Sequence, residues 1–479
     1  MKPIMIILAA LTLLPALTLT AATAVAEPAE PRSSLDWKPC PAGDDDKSGL
    51  ECASLDVPVD WSKPEGRKIT LQLGRLPSTD PEPEGSLLVA YGGPGGPGLA
   101  ITRQTPESWD ELRQRMDLIT WDTRGYGQQF GGTSTGLDCN WSRNPIPNLP
   151  RDAAEFGRLA RVNLGIAFAC RSRDAEFFDH LSSADQARDM EAIRIALGET
   201  KLNFYGASYA GLYGQAYARL FPDRVRTLVL DGTFPHAVKD WDAELIAHAK
   251  RNETTIGRFF DWCGQDQTCA LHGGNVERTW QRLVRKADRT PLVGTRGEET
   301  YHYNGTDLRG LALGLARQKD WTELADAIRD AGRGDASGFI PAKPQSPYPD
   351  IPTGITECTD IPRATTYGEL TAAAKRVGRV APNTGSVGTM VANTLQCVGW
   401  PTPLTNPPAP LPDGLPPLLG AGAWDEFDAI EPVLDQVPGS GSIFHDDSGH
   451  TLYQFNECAR TLINRYVTDL EVPDRDTIC

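Results

Sequence analysis

Short apolar strands alternate with helices in two separate stretches of the chain, and this alternation restricts its fold more than any other feature. Strands that alternate with helices build a parallel sheet covered by helices on both faces. Residues 233–415 lack the alternation: they are helical in places and rich in proline in others. The sequence therefore predicts an α/β core, residues 27–232 and 416–479, interrupted by an inserted cap domain, residues 233–415.

Apolar runs, and apolar residues spaced three and four apart, give the individual elements. At roughly 150 residues per domain, a chain of 479 residues suggests about three domains. A single core domain with a large insertion accounts for the same length. The predicted strands are 87–91, 116–121, 202–205, 225–230, 418–422 and 442–444, and the predicted helices are 184–197, 209–220, 276–287 and 307–331.

The N-terminus has the pattern of a secretory signal peptide. Lys2 precedes an apolar run over 4–17, and Ala24-Val25-Ala26 follows as a cleavage site. A membrane anchor is the alternative, but a spanning helix needs about 20 apolar residues. We expect residues 1–26 to be removed and the protein to be secreted, with association with the cell wall as an alternative.

Ten cysteines become interpretable once export is expected. No Cys-x-x-Cys occurs, which gives a zinc cluster little support. An oxidising compartment favours disulfides, although sequence alone does not determine their connectivity. Sequential pairing is our prediction: Cys40–Cys52, Cys139–Cys170, Cys263–Cys269, Cys358–Cys397 and Cys458–Cys479.

The segment Tyr205-Gly206-Ala207-Ser208-Tyr209-Ala210-Gly211 lies between a predicted strand and a predicted helix. In that setting a tight turn lifts a serine hydroxyl above the sheet as a nucleophile. The strict pattern has glycine two residues after the serine, where this chain has Ala210. A structural Gly-Ser turn is the alternative, but the strand–helix setting favours Ser208 as the nucleophile.

A nucleophilic serine needs a base, and in such folds the chain order is serine, acid, histidine. His445 and His450 are the histidines of the returning α/β stretch. His450 follows Ser448-Gly449 in the loop after the last long strand, whereas His445 lies at the strand end itself. We predict His450 as the base.

The acid that orients the base should follow the preceding strand. Asp425 comes three residues after Gly422 and is our prediction. Glu426 and Asp428 are close alternatives, and Asp231 after the fourth strand is another.

The developing oxyanion needs preorganised N–H donors. The backbone of Tyr209, next to the nucleophile, should give one, and the glycine-rich loop 92–98 should give the other. Gly93 is the preferred donor, with Gly92 next, because Pro94 has no N–H. Phosphate binding by this loop is disfavoured, since it lacks the Lys-Ser/Thr of a P-loop.

The sequence resembles a known family, the secreted tripeptidyl aminopeptidases and related proteinases of actinobacteria. These are grouped with the prolyl aminopeptidases among the α/β-hydrolase serine peptidases. The motifs that carry the resemblance are Leu50-Glu51-Cys52-Ala53, Gly92-Gly93-Pro94-Gly95, Asp122-Thr123-Arg124-Gly125-Tyr126-Gly127, Asn203-Phe204-Tyr205-Gly206-Ala207-Ser208-Tyr209, Leu230-Asp231-Gly232 and Gly449-His450 with Cys458 and Cys479.

The resemblance implies an α/β-hydrolase fold with a large, mostly helical cap inserted before the last core strands. It implies hydrolysis near the free N-terminus of a peptide, without a metal or other cofactor, and supports Ser208, Asp425 and His450. The chain departs from the family at Tyr91, Thr123 and Ala210, and also after the acid, where a Thr-Pro pair is usual.

Two other functions stay open: a carboxylesterase or lipase that uses the same triad, and a non-catalytic binding protein. An aminopeptidase must bind the substrate ammonium, and Glu357 and Asp360 are candidate acids in the cap. The net charge of −16 disfavours nucleic acid. We expect a monomer that acts on short peptides or esters and has no stable membrane anchor.

Overall fold

The computed structural model of the chain describes residues 35–41, 48–126, 133–137, 139, 149–340, 354–387, 389, 391 and 394–479. The predicted signal segment, residues 1–26, lies outside these ranges. Within them, no helix is long and apolar enough to cross a membrane.

The described residues contain twelve strands and thirteen α-helices. The strands are β1 (Lys38–Pro39), β2 (Glu51–Pro58), β3 (Lys68–Leu76), β4 (Ser86–Ala90), β5 (Asp117–Trp121), β6 (Leu202–Ala207), β7 (Val225–Asp231), β8 (Leu292–Arg296), β9 (Glu299–Tyr303), β10 (Leu419–Ala423), β11 (Gly441–His445) and β12 (Thr477–Ile478).

The helices are α1 (Gly98–Gln104), α2 (Ala153–Arg171), α3 (Ala175–Phe178), α4 (Ser183–Leu197), α5 (Ala210–Leu220), α6 (Trp241–Gln265), α7 (Val276–Arg289), α8 (Gly305–Arg317), α9 (Trp321–Arg333), α10 (Gly354–Asp360), α11 (Tyr367–Val380), α12 (Trp424–Leu434) and α13 (Glu457–Asp469).

Ten of these strands form one sheet in the order β1-β2-β3-β5-β4-β6-β7-β10-β11-β12. The first pairings, from β1 to β5, are antiparallel, and every later pairing is parallel. Every residue of β4, β6 and β10 is buried, as expected where helices cover both faces of a parallel sheet. The predicted α/β-hydrolase fold is confirmed.

Strand β7 ends at Asp231 and pairs directly with β10, which begins at Leu419. The insertion between these two strands contains helices α6 to α11 and the hairpin β8–β9. Part of it has an apolar cluster of its own, with Phe259, Trp280 and Leu324 among its buried members. The inserted region is therefore mostly helical, as the resemblance implies.

The single helix predicted over 307–331 is wrong, because the structure divides it into α8 and α9. Lys319 has a left-handed φ of 62°, which no helix can continue through. The turn lets Trp321 Nε1 donate to the Ala316 carbonyl at 3.0 Å. Both helices then bury apolar faces in the same cluster.

Five disulfides join Cys40–Cys52, Cys139–Cys170, Cys263–Cys269, Cys358–Cys397 and Cys458–Cys479. These are the pairs that sequential pairing predicts. Five disulfides fit a protein that matures in an oxidising compartment. The last one fastens the C-terminus, and His445 Nδ1 lies 2.7 Å from the Cys479 carbonyl oxygen. His445, the alternative to His450, therefore contacts the chain terminus.

Candidate active site

Ser208 occupies a sharp turn between β6 and α5. Its φ of 53° lies in the left-handed region, which a non-glycine residue adopts only when its surroundings impose it. Its N–H donates to the Asp231 carbonyl at 2.8 Å, and its own carbonyl accepts from Gly211 N–H at 3.0 Å. The turn presents Ser208 at the carboxyl edge of the parallel strands, the geometry of a nucleophile elbow.

The small residues around Ser208 are needed for different reasons. A Cβ at Gly206 would lie 2.8 Å from the Ala210 carbonyl oxygen, and one at Gly211 would lie 2.4 Å from Thr233 Oγ1. Ala210 itself is fully buried in the elbow. The turn therefore accommodates alanine at the position where the strict pattern has glycine, while glycine is required at 206 and 211.

The glycine-rich loop that follows β4 lies against the nucleophile. A Cβ at Gly92 would come within 2.5 Å of Ser208 Cβ and 2.7 Å of the Tyr209 nitrogen. Gly93, with a φ of 123°, lines the same cavity as Ser208 and Tyr209. The loop is therefore close enough to Tyr209 to form an oxyanion hole with it.

His450 lies in the loop between β11 and α13, and Asp231 holds the backbone that follows it. The buried Asp231 carboxylate accepts the N–H of Leu452 at 2.8 Å, the N–H of Tyr453 at 3.0 Å and the phenol of Tyr205 at 2.6 Å. Asp231, one alternative for the acid, is therefore used to position the segment that carries the histidine.

The carboxylate that contacts His450 belongs to Glu426. Glu426 Oε1 lies 2.5 Å from His450 Nδ1. Glu426 is in the first turn of α12, just after Trp424, which has a left-handed φ of 41°. The side chain of Asp425, the predicted acid, lies outside those that the structure describes. Glu426 was among the alternatives in the sequence.

The contact with Glu426 controls the charge of the imidazole. A carboxylate at Nδ1 stabilises the imidazolium, so Glu426 raises the pKa of His450 above its usual 6.5. Partial desolvation and the positive charge of Arg317 act in the opposite direction, whereas the negative charge of Asp231 also raises this pKa. This arrangement orients the ring and favours proton uptake, as a general base requires.

A cavity of about 330 Å³ brings these groups together. The core contributes Gly93, Ser208, Tyr209, Glu426 and His450, and the inserted region contributes His248, Arg251, Arg317, Glu357 and Ile361. The inserted region therefore forms one wall of the cavity. Among the described residues, no cluster of His, Cys, Asp and Glu has the composition of a metal site.

The structure separates the two candidate acids for ammonium binding. Glu357 lines the cavity and accepts a hydrogen bond from Gln396 Nε2. Asp360 is buried and accepts from Ser183, Asn406 and the Tyr209 hydroxyl, the last at 2.9 Å. Burial raises the pKa of Asp360 to about 6. Asp360 therefore ties α10 to the elbow, and Glu357 is the one of the two acids that lines the cavity.

The inserted region packs against both elements that carry Glu426 and His450, the start of α12 and the loop after β11. Trp321 of α9 stacks on Trp424 at 6.0 Å between ring centroids. The guanidinium of Arg258 lies 4.9 Å from the centre of the Trp424 ring. Lys319 Nζ lies 2.7 Å from an Asp447 carboxylate oxygen in the His450 loop. The position of the cap is thus linked to the geometry of His450 and Glu426.

Three residues of the cavity wall, His248, Arg251 and Arg317, were not found by sequence reasoning. His248 and Arg251 lie on α6, and Arg317 is the last residue of α8, more than fifty residues later in the sequence. No motif marks them, and only the packing of the two helices against the core places them beside His450.

Two family models match the chain. One, described as alpha/beta hydrolase fold, covers residues 85–320, and one described as TAP-like protein covers residues 384–479. The first match agrees with the sheet order and the elbow, and the chain has the α/β-hydrolase fold. The first match includes Ser208 and Asp231, and the second includes Glu426 and His450.

Curated proteins of related sequence include peptidases and an esterase. A tripeptidyl aminopeptidase of Streptomyces coelicolor is 32% identical over 296 residues, which span 57% of this chain and 52% of that protein. This chain thus spans about half the length of that relative. Serine protease Hip1 of Mycobacterium tuberculosis is 26% identical and covers 94% of this chain and 92% of its own. Carboxylesterase B of the same species is 26% identical, with coverages of 89% and 86%.

Proposed function

We propose that the chain is a secreted serine hydrolase that cleaves peptide bonds near a free N-terminus. The observation that carries the proposal is the cavity in which Ser208, in its strained turn, shares a wall with His450 and its carboxylate partner Glu426. The serine provides the nucleophile, the histidine provides the base, and the acid orients the histidine. The catalytic acid in this proposal is Glu426, and Asp425 is the alternative.

The chemistry follows from these positions. Ser208 Oγ attacks the carbonyl carbon while His450 accepts its proton, and Glu426 stabilises the imidazolium. The backbone N–H groups of Tyr209 and Gly93 stabilise the oxyanion. The C–N bond then breaks as His450 returns the proton to the leaving amine. Water repeats these steps on the acyl-enzyme and regenerates Ser208.

The cavity wall favours peptides over lipids. The lining is polar and includes His248, Arg251, Arg317 and Glu357. An acyl chain would remove water from these side chains without offering hydrogen bonds in return, which costs free energy. Glu357 offers a carboxylate to a substrate ammonium. Related peptidases include the tripeptidyl aminopeptidase and Hip1, which supports this choice. Carboxylesterase B is also related, so ester cleavage by the same groups is the second candidate.

The test compares the purified mature chain, beginning at residue 27, on tripeptidyl p-nitroanilides, proline p-nitroanilide and short acyl esters. We expect amide turnover on at least one anilide with a free N-terminus. Ser208→Ala should abolish turnover, with an unchanged melting temperature as evidence of folding. Turnover of esters alone would establish the second candidate instead. Activity that survived in S208A would refute the nucleophile.

Export is part of the proposal. Removal of the signal peptide predicted over residues 1–26 would leave a mature enzyme that consists of the core, 27–232 with 416–479, and the cap, 233–415, and that acts outside the cell. Mass spectrometry of the protein from culture medium should give a chain that begins at Glu27.

A further inference from the structure

Two arginines line the cavity, Arg317 and the ion-paired Arg251, and the cleavage mechanism itself does not use them. Arg251 comes from α6, and Arg317 is the last residue of α8. Arg251 Nη2 donates to Glu244 at 2.5 Å, and Arg317 Nη2 donates to Asn252 at 2.6 Å. These bonds hold both guanidinium groups at the junction of the two helices. Arginine binds carboxylates through paired N–H groups in a fixed plane.

Arg317 lies on the histidine side of the cavity, because Lys319, two residues further on, has its Nζ 2.7 Å from an Asp447 carboxylate oxygen in the His450 loop. The positive charge of Arg317 opposes protonation of His450. Burial, aided by the charges of both arginines, lowers the pKa of His248 to about 3, so this third group of the wall is a neutral imidazole. Because His450 delivers the proton to the leaving group, the leaving group must occupy the region near Arg317.

Glu357, the acidic side chain that the inserted region contributes to the lining, lies on a different helix, α10. Its neighbours on α10 contact the elbow side of the cavity: the Tyr209 hydroxyl donates to Asp360 at 2.9 Å, and the Tyr126 hydroxyl lies 2.8 Å from the Thr356 hydroxyl. Tyr209 follows the nucleophile and lies beside the oxyanion loop. The cavity is therefore polarised, with the Glu357 carboxylate towards Tyr209 and the Arg317 guanidinium towards His450, while the charge of Arg251 is balanced by Glu244. Glu426, the other carboxylate of the lining, is engaged with His450.

A polarised cavity of this size fits a short dipolar ligand. Its volume of about 330 Å³ lies near the lower end of the range of about 300–1,000 Å³ for small-ligand sites. A peptide with a free ammonium and a free carboxylate has complementary charges at its two ends.

We propose that Arg317, with Arg251, binds a carboxylate on the leaving group, so that the preferred substrates are short peptides cleaved next to an anionic residue. This inference rests on the proposed peptidase function. The carboxylate can be the C-terminal α-carboxylate of the leaving residue or the side chain of an aspartate at that position. The arginines act as specificity residues, and they take no part in proton transfer.

The test uses Ala-Ala-Ala-Ala as the free acid, the same peptide as its C-terminal amide, and Ala-Ala-Ala-Asp amide. The chromogenic Ala-Ala-Ala p-nitroanilide provides a neutral leaving group. For the wild type we expect kcat/KM on the free acid to exceed that on the alanine amide by about 10- to 100-fold, as charge-assisted hydrogen bonds typically provide. Whether the aspartyl amide recovers that rate distinguishes a side-chain carboxylate from a terminal one.

Arg317→Gln should remove most of this preference, measured as the ratio of kcat/KM on the free acid to kcat/KM on the alanine amide. The ratio is compared at a pH above the acid limb, because loss of the Arg317 charge also shifts the pKa of His450. Arg317→Lys, which keeps the charge, should retain part of the preference. Lys250→Gln is the matched control, because this exposed residue precedes Arg251 on the same helix. Inhibition by dialanine and by dialanine amide gives a second measurement, in which only the free acid should depend on Arg317.

Equal rates of the wild type on free acid and amide would overturn the inference and leave the proposed function intact. An equal loss on all substrates in R317Q, including the anilide, would also overturn it, because Arg317 would then act on catalysis or folding. Failure of the wild type to cleave any peptide or anilide would instead refute the proposed function, and the inference with it.

Discussion

Glu426 Oε1 lies 2.5 Å from His450 Nδ1, across the gap between the start of α12 and the loop after β11. The contact fixes the relative position of two segments, and the nucleophile elbow alone does not determine that position. It orients the ring of His450 and raises the pKa of that imidazole. The catalytic role of the elbow serine depends on this pair, since the serine hydroxyl needs a neutral and correctly turned imidazole to accept its proton.

Glu426→Gln should therefore change both rate and pH dependence. Activity requires neutral His450, so the acid limb of kcat/KM follows the His450 pKa, which in the wild type lies above 6.5. Without the Glu426 carboxylate the His450 pKa loses its largest upward contribution, so it falls even though Asp231 still raises it, and the acid limb moves to lower pH. We expect the plateau to fall by about 100-fold or more, because the imidazolium loses its partner. The measurement is a pH profile of kcat/KM from 4.5 to 9.

Asp425→Asn is the comparison that decides which acid acts. It removes a neighbouring carboxylate of the same charge and should leave the acid limb and the plateau within about threefold of wild type. The opposite ranking, a large loss in D425N and a small one in E426Q, would assign the acid to Asp425 as the family resemblance implies.

The predicted acid shows where sequence reasoning reaches its limit. The chain order of serine, acid and histidine predicts that the acid follows the strand over 418–422, which is β10 in the structure. Glu426 lies at that position. Successive side chains on a helix point about 100° apart, so the choice between adjacent residues depends on the entry angle of α12. Trp424, with its φ of 41°, determines that angle, and no sequence pattern gave it.

The core was far more predictable than the cap. Strands such as β6 and β10 are buried on both faces and appear as apolar runs, and the elbow carries its own glycine pattern. The wall residues Arg251 and Arg317 are charged residues on amphipathic helices, where charge is common. Only the packing of α6 and α8 over the core makes them part of the site.

Asp231→Asn tests the role of Asp231 as a positioning residue. Its carboxylate accepts two backbone N–H groups after His450 and one phenol, so an amide cannot replace all of these bonds. We expect a loss of about 1–3 kcal/mol in the free energy of unfolding. We also expect kcat to fall more than KM rises, because the histidine loop loses its support. Tyr205→Phe, which removes only the phenol bond, should show a smaller loss of both; a D231N enzyme with wild-type kcat would contradict the role.

Gly92→Ala should inactivate the site without unfolding the protein. The new Cβ would lie 2.5 Å from Ser208 Cβ and 2.7 Å from the Tyr209 nitrogen, so the elbow and the loop must move apart. Loss of one oxyanion donor typically lowers kcat by about 100- to 1,000-fold, and we expect a loss in that range. Gly165→Ala is the control, since its Cβ meets no atom within 4 Å and should leave kcat unchanged. Full activity in G92A would place the oxyanion loop elsewhere.

Glu357→Gln should weaken binding of substrates with a free N-terminus. A carboxylate that holds an ammonium typically contributes about 1.5–3 kcal/mol, so we expect KM to rise about tenfold or more. The same peptides with an acetylated N-terminus should be cleaved by variant and wild type at similar rates. Glu323→Gln, an exposed residue of α9, controls for the loss of one charge. Equal effects on free and acetylated peptides would remove Glu357 from ammonium binding.

The Cys358–Cys397 disulfide lies next to that acid, and its removal should affect substrate binding as well as stability. Cys358 follows Glu357 and Cys397 follows Gln396, the donor to Glu357, so the bond holds this pair together. The two cysteines are 39 residues apart, for which loop closure predicts about 4 kcal/mol of stabilisation. Cys358→Ala with Cys397→Ala should therefore lower the melting temperature and raise KM for peptides with a free N-terminus.

The control, Cys40→Ala with Cys52→Ala, opens a separation of 12 residues far from the cavity and should lower stability by about 3 kcal/mol with no change in KM. An unchanged KM in the Cys358 and Cys397 variant would show that α10 keeps Glu357 in place without the bond.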